Sequence, residues 1–453
     1  MTLTATGPAA TARERRAGLP DVARLFGQVA LPFVAAGAIA RRRPVMGLVE
    51  RLQADAATVR QIPALRERYG DGPLPLRVFG RDLAIVLSDE DVDTVLRTNA
   101  DAFTAANREK TAALSPFQPN GVLISQGDLR ARRRDVNEQA LDTEQPMHHL
   151  AGPIAQVIRD EADKLLRTAR ATGSLDAAEF TRWWWRMVRQ VVLGESARDD
   201  HELTDQLWTL RANGNWSFAH PTRHALRDRF TQRLQRYVES APPESLAGAL
   251  REVSTSAPID PVGQIPHWLF AFDAAGMVTI RTMALLATHP RHRIKALERI
   301  EPSTLDTPQP YEYLRGCVLD STRLWPTTPA ILRDSLVPTE WEDNNGRYSI
   351  PAGSAFVILA TAFHRDHHAF PFADRFEPEI WIDGRAEHYR GLVPFSAGPT
   401  ACPGRNVVLL VTSTALANLC THADFTLTSR TTPDPDQPLP ATLNNFGITF
   451  SVR

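Results

Sequence analysis

One cysteine and its neighbours constrain this chain more than any other feature. Cys402 lies in Val393-Pro-Phe-Ser-Ala-Gly-Pro-Thr-Ala-Cys-Pro-Gly-Arg-Asn406, with Phe395 seven residues before it and glycines at Gly398 and Gly404. An apolar run, Val407 to Val411, follows at once and predicts a helix. Pro403 suits the first helical position, where its missing N–H is no loss. Cys402 therefore falls at a helix N-terminus, where the dipole and the free N–H groups favour a thiolate. The glycines let backbone approach something flat and bulky on the sulfur side. A lone cysteine is ordinarily a small buried hydrophobe; this spacing argues for a ligand instead.

The chain has 453 residues, 43% of them apolar, enough for a large core. No Gly/Ser tract, long charge block or repeat divides it. A net charge of −1 gives no support to a nucleic-acid partner. The three cysteines, Cys317, Cys402 and Cys420, do not make a disulfide framework and fit a reducing compartment. Near the start, Leu25 to Ala40 is largely apolar and is followed by three arginines. It is shorter than the roughly twenty residues that span a bilayer. A packed or amphipathic N-terminal helix is expected, with contact at a membrane surface as the alternative.

Pro75 to Leu87 alternates like a β-hairpin, and Ser88-Asp-Glu-Asp91 reads as a capped helix start. Successive amphipathic helices are expected from about Gly127 to Val253, then a turn at Thr255–Pro258. Ile265 to Leu286 is a long apolar stretch whose charges, Asp273 and Arg281, mark it as a buried core helix. Further expectations are a helix over Tyr311–Leu324, strands at Ala330–Asp334 and Gly353–Ala360, a helix over Pro403–Leu419 and paired strands in Ala441–Val452. The sum is mainly α with minor β-sheets.

The Phe-x-x-Gly-x-x-x-Cys-x-Gly loop resembles the haem-binding loop of the cytochromes P450, and four further segments match in order. Arg130 and Arg134 resemble a pair of propionate-binding residues on one helix face. Ala275-Gly276-Met277-Val278-Thr279 is similar to the family's Ala-Gly-x-acid-Thr. Asp320-Ser-Thr-Arg323 is similar to Glu-x-x-Arg, and Phe376-Glu-Pro-Glu379 to the Phe-x-Pro-Glu segment. Departures are Val278 for the acid, Asp320 for Glu, Ile380 for an Arg (with Arg375 a candidate substitute) and Thr400 for a propionate-binding Arg or His.

The resemblance implies a single-domain P450 fold, residues 46–453, behind an N-terminal segment 1–45. It implies haem b with Cys402 as iron ligand, and a cofactor site of Arg130, Arg134, Arg333, Phe395, Gly398, Cys402 and Gly404. Thr279, Ala275 and Gly276 are implied at the dioxygen site. Ala271, Ala274 and Ala275 are expected to meet substrate, under loops near Thr104–Leu123 and Asn213–Pro221. Asp320 and Arg323 form a structural ion pair. The implied activity is monooxygenation of a small organic molecule, in the manner of secondary metabolism. Electrons would come from a ferredoxin or flavodoxin on the basic face that includes Arg132 and Arg133. The rivals are coupling, isomerisation or peroxide-driven chemistry, or a non-catalytic partner protein. The expected location is cytoplasmic, with a peripheral membrane contact as the variant. His364, His367 and His368 lack a completing ligand for zinc, and Trp183-Trp-Trp185 points to core packing.

Overall fold

Three- and four-residue apolar spacing dominates the middle of the sequence, and the chain is helical there. The computed structural model describes residues 15–253, 259–298, 300–305, 307–343 and 346–453. The turn expected at Thr255–Pro258 lies outside the described residues. Six helices run in succession: Gly127–Ala140, Ala151–Thr172, Ala177–Leu193, His201–Gly214, His224–Glu239 and Leu246–Val253. Their ends follow local chemistry. The carboxylates of Asp176 and Asp200 accept from Glu179 N (2.8 Å) and Leu203 N (3.1 Å), as N-caps do. Gly173, at φ +70°, stops Ala151–Thr172.

The long helix Ile265–Thr288 crosses the interior. It packs against Ala177–Leu193, Glu312–Leu324 and Arg405–His422. In Arg405–His422 every residue from Val407 to Cys420 is buried, so the apolar run after Cys402 is a core helix. Trp183 and Trp184 are buried in the same core and Trp185 is half-buried.

The largest sheet has the order Leu74–Val78, Arg81–Ile85, Ala355–Ile358, Ile331–Ser335, Phe103–Thr104. The first pair is a hairpin closed by Phe79 (φ +49°) and Gly80 (φ +79°), which matches the twist of its strands. In Ile331–Ser335 the residues Ile331, Arg333 and Ser335 share the buried face, so an arginine points inward from a sheet. The C-terminal strand Thr449–Val452 pairs with Ser174–Asp176 and Phe425–Leu427. Residues 441–444, expected to be strand, are irregular.

The N-terminal helix begins earlier than expected. Leu19–Ala36 is 18 residues with mean hydropathy 1.2, long and apolar enough by composition to enter a bilayer. Val22, Leu25 and Val29 pack against the cluster of Leu74, Leu76 and Ile85, while Leu19, Phe26, Leu31 and Val34 are exposed.

Asp320 and Arg323 are both wholly buried, with Nε 2.6 Å from Oδ1. Asp320 also accepts from Glu377 N (2.7 Å) and the Trp381 indole (3.1 Å). Arg323 donates to the carbonyls of His364 (3.1 Å), Ala373 (2.9 Å) and Arg375 (2.5 Å). Arg375 thus contributes its carbonyl, not a substitute side-chain cation. Backbone groups fill the place of the missing third partner, and the pair is fully hydrogen-bonded, which a buried ion pair requires.

His364 Nε2 accepts from Val393 N at 3.0 Å, and its burial, helped by the Arg323 charge, pushes its pKa from 6.5 down to about 3. An unfolded histidine takes up a proton near 6.5 and this one does not, so the fold loses stability as pH falls below about 6.5. Thermal melts from pH 7.5 to 5 should show that decline, and His364→Gln should lessen it, the remainder coming from His267, His148, His289 and His292, whose pKa values burial also lowers. Removing one partner of the buried pair, Asp320→Ala, should cost about 3–5 kcal/mol in denaturant unfolding.

Candidate active site

The Cys402 loop is a folded turn fixed by its own backbone. Cys402 N donates to Phe395 O at 2.9 Å, and Ala401 N to Gly398 O at 2.9 Å. Gly398 has φ +62°, and a Cβ there would lie 1.8 Å from Leu96 O, so no other residue fits. Gly404 is different: a Cβ would meet only Leu141 Cδ1, at 3.8 Å. The helix starts at Arg405 with Gly404 as N-cap, so Pro403 precedes the helix and is not its first residue.

Enclosure of the Cys402 thiol pushes its pKa above the usual thiol value, while the Gly404 N–H and the charges of Arg134 and Arg405 pull it down. Burial wins, so the protein alone favours the thiol. A metal cation on the sulfur would favour the thiolate.

Three arginines converge on this loop. Arg333 donates to Thr400 Oγ1 (2.6 Å) and Ser396 Oγ (3.1 Å). Arg134 donates to Ala401 O (2.6 Å), and Arg130 reaches Pro399 O (3.4 Å). Thr400 therefore serves as a partner of Arg333. Burial, and then the charge of Arg130, lower the Arg333 pKa to about 10. Among the described residues neither Arg130 nor Arg333 pairs with a carboxylate. A buried cation, Arg333, and a half-buried one, Arg130, in want of anions beside a single sulfur donor and the half-buried Phe395 fit haem, which brings an iron and two propionates. Arg133, expected on the solvated basic face, is buried instead and donates to Ile259 O (3.2 Å) and Ser125 Oγ (2.8 Å).

The long helix places Ala275, Gly276 and Thr279, expected at the dioxygen site, among its buried residues. His267, Phe270, Ala271 and Ala274 retain accessibility, and their i, i+3, i+4, i+7 spacing makes one stripe; Asp273 and Met277 are partly accessible on another side. Thr279 is 0% exposed and donates to Ala275 O at 2.8 Å. It is turned roughly 120° from His267 around the helix, at 3.6 residues per turn. Gly276 is on the opposite side, where a Cβ would lie 2.8 Å from the Trp184 indole; it permits a helix crossing. Ala275 is also buried, at 3%. The acid of this helix is Asp273, beside Ala274, paired with Arg211 at 2.7 Å. Thr282 and Thr288, like Thr279, donate to carbonyls four residues back, so the accessible stripe carries no hydroxyl. In the sequence Asp273 is a charge in an apolar helix, while the Ala-Gly-x-x-Thr spacing puts Val278 in the acid's place.

Two cavities flank the helix. One of about 700 Å³ is lined by Ala112 and Ala113, by Gly214 and Phe218, and by Met277 and Leu332. The segments expected to cap the pocket, Thr104–Leu123 and Asn213–Pro221, thus contribute to one cavity. The N-terminal helix joins them through Val22 and Phe33, which the sequence did not reveal. The other, of about 970 Å³, meets Asp273, Gly276, Trp184 and Arg211.

A sequence model of the family Cytochrome P450 matches residues 280–447. Cyclooctat-9-en-7-ol 5-monooxygenase of Streptomyces melanosporofaciens is 36% identical over 168 residues, 34% of this chain and 35% of that protein. Cytochrome P450 734A5 of Oryza sativa subsp. japonica is 26% identical over 407 residues, 79% and 74% of the two chains. Cytochrome P450 4g15 of Drosophila melanogaster is 30% identical over 131 residues, 28% and 22%. The first three relatives are matched over only 22–35% of their own lengths. A helical fold with small sheets, built around a cysteine loop on which Arg130, Arg134 and Arg333 converge, fits the haem-thiolate class. The chain belongs to the cytochrome P450 superfamily, whose cofactor is haem b.

Arg333→Ala should weaken haem retention in gel filtration by roughly tenfold or more, since a charged hydrogen bond contributes about 1.5–3 kcal/mol. Thr279→Val should leave the ratio of product to reductant consumed unchanged; a rise in peroxide release would return Thr279 to the dioxygen site.

Proposed function

We propose that this chain is a haem-thiolate monooxygenase acting on a largely apolar small molecule. The observation that carries the reading is the convergence of Arg130, Arg134 and Arg333 on the Cys402 loop, ahead of the helix Arg405–His422 that packs against the core helix. Haem, when bound, supplies dioxygen activation and transfer of one oxygen atom to substrate. Cys402 would ligate the iron through its thiolate, an electron-donating ligand. The arginines would hold the propionates, Arg333 with the geometry that suits a planar carboxylate. Ala271 and Ala274 leave room over the site. Asp273, the one acid beside the stripe, faces the 970 Å³ cavity and is the group placed to exchange protons with water there. Residues 46–453 act as one haem domain, with the N-terminal helix packed upon it.

Electrons would come from a ferredoxin or flavodoxin. The support is the exposure of Arg132 and Arg405 beside the Cys402 loop, which would steer an acidic partner. A cytoplasmic protein with peripheral membrane contact fits the exposed Leu19, Phe26, Leu31 and Val34. The named activity of the Streptomyces relative and the 700 Å³ cavity support a role in secondary metabolism. The missing hydroxyl on the stripe favours a second reading, peroxide-driven or coupling chemistry.

The two separate in ¹⁸O₂. With a ferredoxin, its reductase and reduced nicotinamide, and cyclooctat-9-en-7-ol and other polycyclic alcohols as probes, one labelled atom should appear per product. Product formed only with added peroxide, unlabelled, would establish the second reading. Asp273→Asn should slow the labelled reaction while haem content holds.

A further inference from the structure

The short helix Arg108–Leu114 and the turn after it bring a polar cluster next to the first turn of the accessible stripe. Lys110 Nζ donates to Ala105 O (2.9 Å) and Leu332 O (3.2 Å), which leaves one N–H. The acids closest in sequence and space are taken: Glu109 and Asp334 both bind Arg81, at 2.9 and 2.7 Å. Among the described residues no carboxylate pairs with Lys110. Burial, and then the charge of Arg333, bring its pKa down to about 7. A neighbouring anion would reverse that shift.

The neighbours are donors too. Gln118 is 0% exposed, its Oε1 lies 3.1 Å from His267 Nδ1, and its Nε2 has no partner. Asn107 Nδ2, also buried, has none either. A buried donor without a partner costs about 1–3 kcal/mol, so these amides mark a place for an acceptor. Around them the wall is aromatic. Phe117 and Phe270 meet edge to face at 5.8 Å, and His267 and Phe270 at 5.9 Å.

A surplus cation and two orphan amide donors, with the nearby acids Glu109 and Asp334 both engaged by Arg81 and an aromatic wall around them, call for a carboxylate on an apolar body. We propose that Lys110, assisted by Gln118 and Asn107, anchors the carboxylate of the substrate. This rests on the haem-enzyme reading above and names the substrate class for the same site. A haem propionate has the same chemistry. Arg130 and Arg333, which pair with no carboxylate among the described residues, provide one cation for each of the two propionates, with Arg134, itself paired with Glu138, beside them; that leaves Lys110 for the substrate. From His267 to Ala274 the helix rises roughly 10 Å, so an anchored substrate reaches Ala274 with a chain of about eight carbons or more.

The test titrates the haem-loaded full chain with dodecanoic acid and with methyl dodecanoate, by haem spectral shift and by calorimetry. The acid should bind roughly ten- to a hundredfold tighter than the ester, the worth of one charged hydrogen bond. Lys110→Met should erase that preference with ester affinity and haem content unchanged, and Lys110→Arg should keep it. Equal binding of acid and ester by the parent chain would overturn the proposal, as would an acid preference that survives Lys110→Met. Loss of haem in Lys110→Met with the preference intact would assign the residue to a propionate and overturn it as well. A parent chain that takes up no haem fails the wider reading instead, and calorimetry reports the acid preference independently of it.

Discussion

The buried Asp320–Arg323 pair is the contact on which the site depends. It ties the helix Glu312–Leu324 to the carbonyls of His364, Ala373 and Arg375 and to the N–H of Glu377. His364 in turn accepts from Val393 N, the first residue of the segment that carries Cys402. Two charges without solvent thus position a neutral histidine, and the histidine positions the start of the cysteine loop. The Asp-for-Glu replacement is accommodated because backbone and an indole complete the hydrogen bonds that a longer side chain or a third cation would have made.

The electrostatics of the loop are built around a group that brings its own charges. Arg333 is held inward by the alternation of its strand, with hydroxyls for partners and no acid. Cys402 is enclosed, with its pKa above the ordinary thiol value. Each would be unfavourable alone. An iron cation on the sulfur and carboxylates on the arginines would resolve both at once, so binding of the cofactor and completion of the local fold are one process.

Much of this was legible in the sequence where the signal is a periodicity or a rare spacing. The Phe-to-Cys spacing located the loop, and the family resemblance pointed to Arg333, which the alternation of Ile331–Ser335 turns inward. The long apolar stretch gave the core helix within two residues. What failed was choosing a face. Ala-Gly-x-x-Thr is a short, small-residue pattern, and Thr279 satisfies its hydroxyl on its own helix, as threonines in helices do. Only the packing of Gly276 against Trp184 showed that this motif faces a neighbouring helix. Arg133 and the Lys110–Gln118–His267 cluster were out of reach for another reason: their partners lie 126 and 149 residues away along the chain. The N-terminal helix was seen, but its place on the cavity wall depends on sheet contacts that no local pattern encodes.

The central claim is that Cys402 holds iron through a thiolate. The direct measurement is the absorption spectrum of the reduced, carbon monoxide-bound protein, taken for the parent chain and for Cys402→Ser. The parent should show the long-wavelength band of a thiolate-ligated haem, and the variant should lose it. The same band in Cys402→Ser, or its absence from a haem-loaded parent chain, would contradict the account.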